Sequence, residues 1–307
     1  MLGLYLVIII LIALVVLLLY KFAQALILTA KKVDTSLVAV TEVQIPAGDI
    51  DLHGKLLYPK ALMDESGQPT GKIPLIIFNH GWGSNLDFFM HFAVAMVISG
   101  PFACLLYDCR GHGKSGGEKR LSLQLLDDVK RLIDFADSIS GVNHEKYGFM
   151  GMSMGGMLAL TAGYTDDRIK AIVALCATHN NKENFLYNKD YSWKVNLMHL
   201  WMRATSPLRI KSIDVETNRK MSPAFCIERD NDDKNHRALL VHARNDIVVP
   251  FSEFERNRDA LDLPREQTLV FEKGNHAFLY QHYTILAKAT AFLRKKLKKQ
   301  LTRSKSE

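Results

Sequence analysis

No two cysteines stand at CxxC spacing in this 307-residue chain, and no cysteine–histidine cluster has the spacing of a metal site. Internal repeats and low-complexity stretches are also missing. Cys104, Cys109, Cys176 and Cys226 are isolated from one another, and two of them fall inside apolar, strand-like runs. The pattern speaks against a disulfide framework and a structural zinc site. It points to reduced core thiols, which fit a reducing compartment. The basic run from Arg294 to Lys305 lacks interleaved aromatics, so a nucleic-acid arm is not indicated. It reads as a solvated helix end lying on anionic lipid.

What the chain does have is 48% hydrophobic residues, enough for one large core. The run Leu2 to Tyr20 is uncharged and long enough to cross a bilayer as a helix. No basic residue precedes it and no small-residue cleavage site ends it, which argues against a cleaved signal peptide. Residues 1–32 are therefore expected to be a transmembrane anchor with its flank. Lys21, Lys31 and Lys32 follow the run, so the positive-inside rule places the remaining body in the cytoplasm. The expected protein is single-pass, with the domain of residues 33–307 on the cytoplasmic side.

Strand-like runs occur at Ser36 to Ile45, Ile50 to Pro59, Ile73 to Phe78, Phe102 to Tyr107, Tyr147 to Met150, Ile169 to Ala177, Ala238 to His242 and Thr268 to Phe271. Helical runs begin near Asn85, Ser122, Met154 and Pro250, and a last one follows Ala277. The alternation predicts an α/β fold, a mostly parallel central sheet with helices on both faces. An N-terminal antiparallel hairpin makes the sheet mixed, and ligands are expected at the C-terminal strand ends. The rhythm breaks at about 180–225, which carries Tyr187, Tyr191, Trp193, Met198, Trp201 and Met202. This segment is expected to be a small helical cap whose aromatics line an acyl pocket or pack the cap onto the body.

The chemistry centres on Gly151-x-Ser153-x-Gly155, at the junction of an apolar run and a helical run. A serine placed on so sharp a strand-to-helix turn has the setting of a nucleophile. A hydroxyl needs a base, and the base an orienting carboxylate. Asp246 follows the strand Ala238 to His242, whereas Asp230, Asp232 and Asp233 sit in a hydrophilic loop before it. Among the 11 histidines, His276 lies in a glycine-containing loop after a strand, while His242 falls within a strand and His282 within the last helix. Ser153, Asp246 and His276 are thus the candidate triad. The oxyanion of an acyl intermediate needs donors, expected from the N–H groups of Met154 and of Trp82 in the loop Asn79 to Ser84. His80 is expected to brace that loop.

His80-Gly-Trp-Gly83, Tyr107-Asp-Cys-Arg-Gly-His-Gly-Lys-Ser115, Gly151-Met-Ser-Met-Gly155, Asn245-Asp246-x-x-Val-Pro and Gly274-Asn-His276 together resemble the α/β-hydrolase fold serine hydrolases, from about Ser36 to the C-terminus. The order Ser153…Asp246…His276 is that of the family. The resemblance implies an esterase or lipase, with the monoacylglycerol-lipase-like and serine-aminopeptidase-like branches as relatives. It makes Asp108 and Arg110 structural and requires no metal or organic cofactor. The implied activity is cleavage of carboxylic esters, lipid-like ones included, through an acyl-enzyme on Ser153. A peptidase or thioesterase on the same triad is the alternative, and a silent binding protein the non-enzymatic one. Glu183, Asp190 or Asp214 would hold the amino terminus of a peptide substrate.

Overall fold

A computed structural model describes residues 33–100, 102–184, 188–205, 214–229 and 231–298, and the chain from Thr35 onward forms one compact unit. Its eight strands are β1 (Val38–Pro46), β2 (Asp51–Pro59), β3 (Ile73–Asn79), β4 (Ala103–Tyr107), β5 (Val142–Met152), β6 (Ile169–Leu175), β7 (Ala238–Ala243) and β8 (Thr268–Phe271). They build a single sheet in the order β1-β2-β4-β3-β5-β6-β7-β8. The pairs β1/β2 and β2/β4 are antiparallel and all others parallel, so the mixed, mostly parallel sheet expected from the sequence is found. Only β5 differs notably: it starts at Val142, upstream of the apolar run. The polar stretch Asn143 to Lys146 is carried along by a bulged register in which Ile73 pairs with Val142 before Leu75 pairs with Tyr147.

The helices are α1 (Met90–Ser99), α2 (Gln124–Ala136), α3 (Met154–Leu158, continued by a π-helical turn at Ala159–Gly163), α4 (Trp193–Thr205), α5 (Val215–Met221), α6 (Phe251–Ala260) and α7 (His282–Lys298). Alternate strand residues face opposite ways, and both faces are covered. Leu75 and Ile77 of β3 share a buried cluster with Val129 and Leu132 of α2 and with Met157 and Leu158 of α3. Phe78 turns the other way and packs on Phe89, ring centroids 5.2 Å apart. On that second face Gly148 of β5 leaves room for its neighbours: a Cβ there would stand 2.8 Å from Ile76 and 2.9 Å from Leu293 of α7.

After β4 the chain makes a largely buried polar turn held by two charged side chains. Asp108 accepts from the amides of Leu86 (2.7 Å) and Lys114 (2.8 Å), and its carboxylate meets His53 Nδ1 at 3.2 Å. Arg110 donates twice to Asp128 of α2 (2.9 and 2.8 Å), once to Asp49 (2.9 Å) and once to the Ala47 carbonyl (3.0 Å). These contacts lock the turn to β1, β2 and α2, the structural part that the resemblance assigned to Asp108 and Arg110.

Between β6 and β7 the described residues are mostly helical: a turn at Asn181–Asn184, then α4, α5 and a turn at Pro223–Cys226. The cap is closed at its root, where the Ala224 amide donates to the His179 carbonyl at 2.9 Å. Glu253 of α6, fully buried, accepts from the amides of His179 (2.7 Å) and Asn180 (3.1 Å). The cap aromatics and methionines divide: Tyr191, Met198 and Met202 are half-buried and the two tryptophans are not. Trp193 and Trp201 are 70% and 59% exposed, and Leu197 and Leu200 of the same α4 face are exposed with them. These large side chains of α4 are mainly exposed, while Val195 and His199 turn inward and Tyr191 packs edge-on against His199, ring centroids 5.9 Å apart. Tyr187 lies outside the described residues.

The membrane placement needs correction. Among the described residues no helix is long and apolar enough to cross a membrane. The longest of them, α7, has 17 residues and rises about 26 Å, short of a hydrocarbon core of about 30 Å, and it carries Lys288, Arg294, Lys295, Lys296 and Lys298. The expected span Leu2 to Tyr20 and its flank lie outside the described residues. Within the basic C-terminal run, Arg294 donates to the Ser99 carbonyl at 2.6 Å, a contact inside the protein body. The single-pass, cytoplasm-facing localisation is withdrawn.

The Arg110–Asp128 pair supplies a stability test. Both side chains are almost fully buried, so removing one leaves the other's charge without its main partner. Asp128→Ala is expected to lower the unfolding free energy by about 3 kcal/mol, with Asp49 retaining part of the Arg110 charge. Urea unfolding followed by circular dichroism measures this; a loss below about 1 kcal/mol contradicts it.

Candidate active site

β3 lies between β4 and β5 in the sheet, so the chain leaves β3 on one side and returns on the other. The connections after β3 and β5 leave toward opposite ends of the sheet, and open α/β sheets bind ligands at such a switch point, beyond the C-terminal strand ends. Ser153 is the first residue beyond β5, with φ 55° and ψ −114°. Its amide donates to the Leu175 carbonyl of β6 at 2.8 Å, and its own carbonyl accepts the Met157 amide at 2.9 Å. The flanking glycines are required by close approach. A Cβ on Gly151 would run into the Gly155 carbonyl, and one on Gly155 into the Asn79 carbonyl at the end of β3.

The loop after β3 runs beside this turn: a Cβ built on Gly81 would stand 3.3 Å from the Ser153 Cβ. His80 sets the loop's shape. Its Nδ1–H donates to the Gly81 carbonyl at 2.8 Å and its Nε2 accepts the Cys109 amide at 3.0 Å. Those two partners fix the tautomer, and burial holds the ring's pKa down to about 4. The brace is therefore neutral, as its hydrogen bonds demand. Trp82 follows, its ring edge-on to His112 at 5.2 Å with the Lys119 ammonium 5.4 Å from its centroid. Among the described residues neither the Trp82 nor the Met154 amide donates a hydrogen bond to another backbone group outside the helices and strands.

Asp246 lies in the loop after β7 and is 3% exposed. Its Oδ1 accepts the amides of Val248 (2.8 Å) and Val249 (3.0 Å), and its Oδ2 stands 2.7 Å from His276 Nδ1. An ionised carboxylate only accepts, so Nδ1 carries the proton and Nε2 keeps its lone pair. Burial opposes the Asp246 charge, but the field and hydrogen bond of His276 outweigh it and keep the carboxyl below its usual range. Burial likewise opposes a charged His276, yet the Asp246 carboxylate raises its pKa well above the ordinary imidazole value. The two loops are buckled together by Asn245 and Asn275. Asn245 Oδ1 accepts the Asn275 amide at 2.9 Å, and the side chains bond at 3.0 Å.

Asp246 and His276 are thus brought together, Met154 follows Ser153 directly, and Trp82 follows Gly81, which lies beside the serine. No hydrogen bond joins Ser153 Oγ to His276 among the described residues. Such contacts are commonly long until substrate tightens them. Cys176 follows Leu175, the acceptor of the Ser153 amide, and its sulfur is 3.6 Å from the His276 carbonyl. Cys176, Asn245, Asn275 and His242 (Nε2 at 3.7 Å from Asp246) were not singled out for the site from sequence. Their common signal is position, each at or just beyond the C-terminal end of a strand. Of the rejected carboxylates, Asp232 and Asp233 begin a short helix, Asp232–Asn235, ahead of β7.

A family model described as serine aminopeptidase, S33 matches residues 72–226, just over half of the chain. The match includes Ser153 and the Trp82 loop and ends before Asp246 and His276. The quorum-quenching protein AidA of Acinetobacter baumannii is 28% identical over 114 residues, 36% of this chain and 38% of that protein. The thiohydrolase aneE of Aspergillus aculeatus is 27% identical over 116 residues, 36% of this chain and 35% of its own length. The chain thus spans well under half the length of these curated relatives. Among solved structures, an acetyl xylan esterase from Paenibacillus sp. R4 superposes with a TM-score of 0.60 at 20% identity, covering 89% of this chain and 93% of that one. At that identity the likeness shows the fold, which is the α/β-hydrolase fold.

The charge coupling of His276 can be read without any substrate. In the Ser153→Ala protein, its ring protons followed by NMR are expected to titrate above 6.5, since the folded state favours the charged ring. Asp246→Asn removes the raising charge and should bring the midpoint down to or below that value. An unmoved midpoint overturns the assignment of Asp246 as its partner.

Proposed function

Because the chain belongs to the serine aminopeptidase S33 family of hydrolases, we propose that it hydrolyses carboxylic esters or thioesters through an acyl-enzyme on Ser153. The observation that carries this reading is the 2.7 Å Asp246–His276 bond, set beside a serine with φ 55° at the sheet's C-terminal edge. Ser153 Oγ attacks the acyl carbon while His276 Nε2 takes its proton. Asp246 holds the Nδ1–H tautomer and stabilises the imidazolium that forms. The amides of Trp82 and Met154 hold the developing oxyanion, each worth about 2.7–4 kcal/mol in the transition state. His276 then gives the proton to the leaving oxygen or sulfur. Water, activated by the same nitrogen, attacks the acyl-enzyme and regenerates Ser153 with release of the acid.

Esters and thioesters fit the names borne by the thiohydrolase and the acetyl xylan esterase. The family's description suggests a peptidase, but two of the cap carboxylates that would hold a substrate's amino terminus are already engaged. Glu183 is paired with Arg256 at 2.8 Å, and Asp214 caps α5 by accepting the Thr217 amide at 2.7 Å. Ester cleavage is therefore the favoured reading, with lipid-like esters inside its range.

A fluorophosphonate probe is expected to label Ser153 in the folded protein, as read by peptide mass spectrometry. Ser153→Ala and His276→Ala should each lower kcat on a reactive aryl ester by on the order of 10⁶ while still unfolding in one cooperative urea transition, at a lower midpoint for His276→Ala because Asp246 loses its buried partner. Turnover surviving either change means the nucleophile or base lies elsewhere. A chain-length series of esters set against amino-acyl amides separates the ester reading from the peptidase reading.

A further inference from the structure

Cys176 has no part in the hydrolytic mechanism, yet it sits at its centre. It ends β6 in a left-handed conformation, φ 40°, with its amide tied to the Val241 carbonyl at 2.9 Å. The side chain is completely buried. Its sulfur, a carboxylate oxygen of Asp246 and a ring nitrogen of His276 all lie within 4.8 Å of one another. A thiol, an imidazole and a carboxylate are a donor set that suits zinc and its softer congener cadmium. We propose that Cys176, Asp246 and His276 form a binding site for a soft divalent cation, and that its occupancy switches the hydrolase off.

Charge and geometry both support the site. Burying a dication requires compensation, and a carboxylate plus a thiolate supply two negative charges against its two positive ones. Binding replaces the thiol proton, which leaves to solvent as the metal–sulfur bond forms. Tetrahedral ligands at zinc-like bond lengths stand about 3.4–3.6 Å apart, so shifts of about an ångström gather these atoms round one ion. Inhibition then follows whichever ring nitrogen is used. A metal on Nδ1 cannot coexist with the Asp246 bond, because 2.7 Å is too short for two ligands of one tetrahedral ion. A metal on Nε2 occupies the lone pair that would take the serine proton. The inhibition rests on the serine hydrolase reading, whereas the binding does not, and the two are measured separately.

Cadmium chloride is the probe. In Ser153→Ala protein carrying Cys226→Ser, which removes the one thiol that is not buried, the thiolate-to-cadmium ultraviolet band should saturate at one equivalent. Cys176→Ser should abolish it, and so should His276→Ala, which leaves the thiol in place and guards against a misfolded serine variant. In the wild type, ester hydrolysis and fluorophosphonate labelling should fall with occupancy and return on adding EDTA. Cys176→Ser should raise the cadmium needed for half inhibition by at least about tenfold, or ~1.4 kcal/mol. A band that persists in Cys176→Ser, or with unchanged affinity in His276→Ala, overturns the site. So does a wild-type protein without a band, or equal cadmium sensitivity in the two enzymes. A protein that binds cadmium as described but hydrolyses no ester would sink the catalytic reading and leave the metal site standing.

Discussion

A non-glycine residue at φ 55° persists only where its surroundings leave no relaxed alternative, and at Ser153 four segments supply that constraint. β6 takes its amide through Leu175, and the first turn of α3 takes its carbonyl through Met157. Gly151 and Gly155 bring β5, α3 and the end of β3 so close that a methyl group at either position would displace backbone. The cost of such a conformation is about 1–3 kcal/mol, met by the sheet and helix contacts on either side. The fold is thus what points the serine into the crevice. The side chain has little freedom of its own to find it.

Around that point the polar groups form a shell fixed mainly by the backbone. Asp246 is oriented by two amides and His80 by one carbonyl and one amide, while Asn245 and Asn275 clip their loops to each other. Few of these partners are mobile side chains, so little conformational entropy is lost when the site engages a substrate. The arrangement also separates two kinds of histidine. His80 is braced on both nitrogens and kept neutral by burial, whereas His276 is drawn toward its charged form by Asp246.

Much of this was legible in the sequence because it depends on local pattern. The central strands of the parallel sheet are buried on both faces and therefore appear as continuous apolar runs, and β3, β6 and β7 fall where those runs lie. Asp246 and His276 could be selected because each stands in a loop directly after such a strand. Two features were not legible. Cys176 looks like any core thiol until β6 and the loop after β8 are placed side by side, a relation across 100 positions of sequence. The outward placement of Trp193 and Trp201 was the other, because with Leu197 and Leu200 they have the spacing of a buried helix stripe, and spacing does not say which side the body is on.

The contact between the Ala224 amide and the His179 carbonyl makes the cap a closed loop whose two feet stand side by side. The free energy of closing such a loop grows only with the logarithm of its length, roughly 0.6 kcal/mol per doubling. What lies between the feet can therefore vary wherever it does not touch the body, which excludes Met221 in the core and His199, whose ring nitrogen stands 2.9 Å from the Val248 carbonyl. Lineages or engineers can lengthen, shorten or replace it while β6, β7 and the loop bearing Asp246 keep their register. The breadth of substrates open to this scaffold resides in that tolerance, and the hydrolytic centre beneath need not be rebuilt to exploit it.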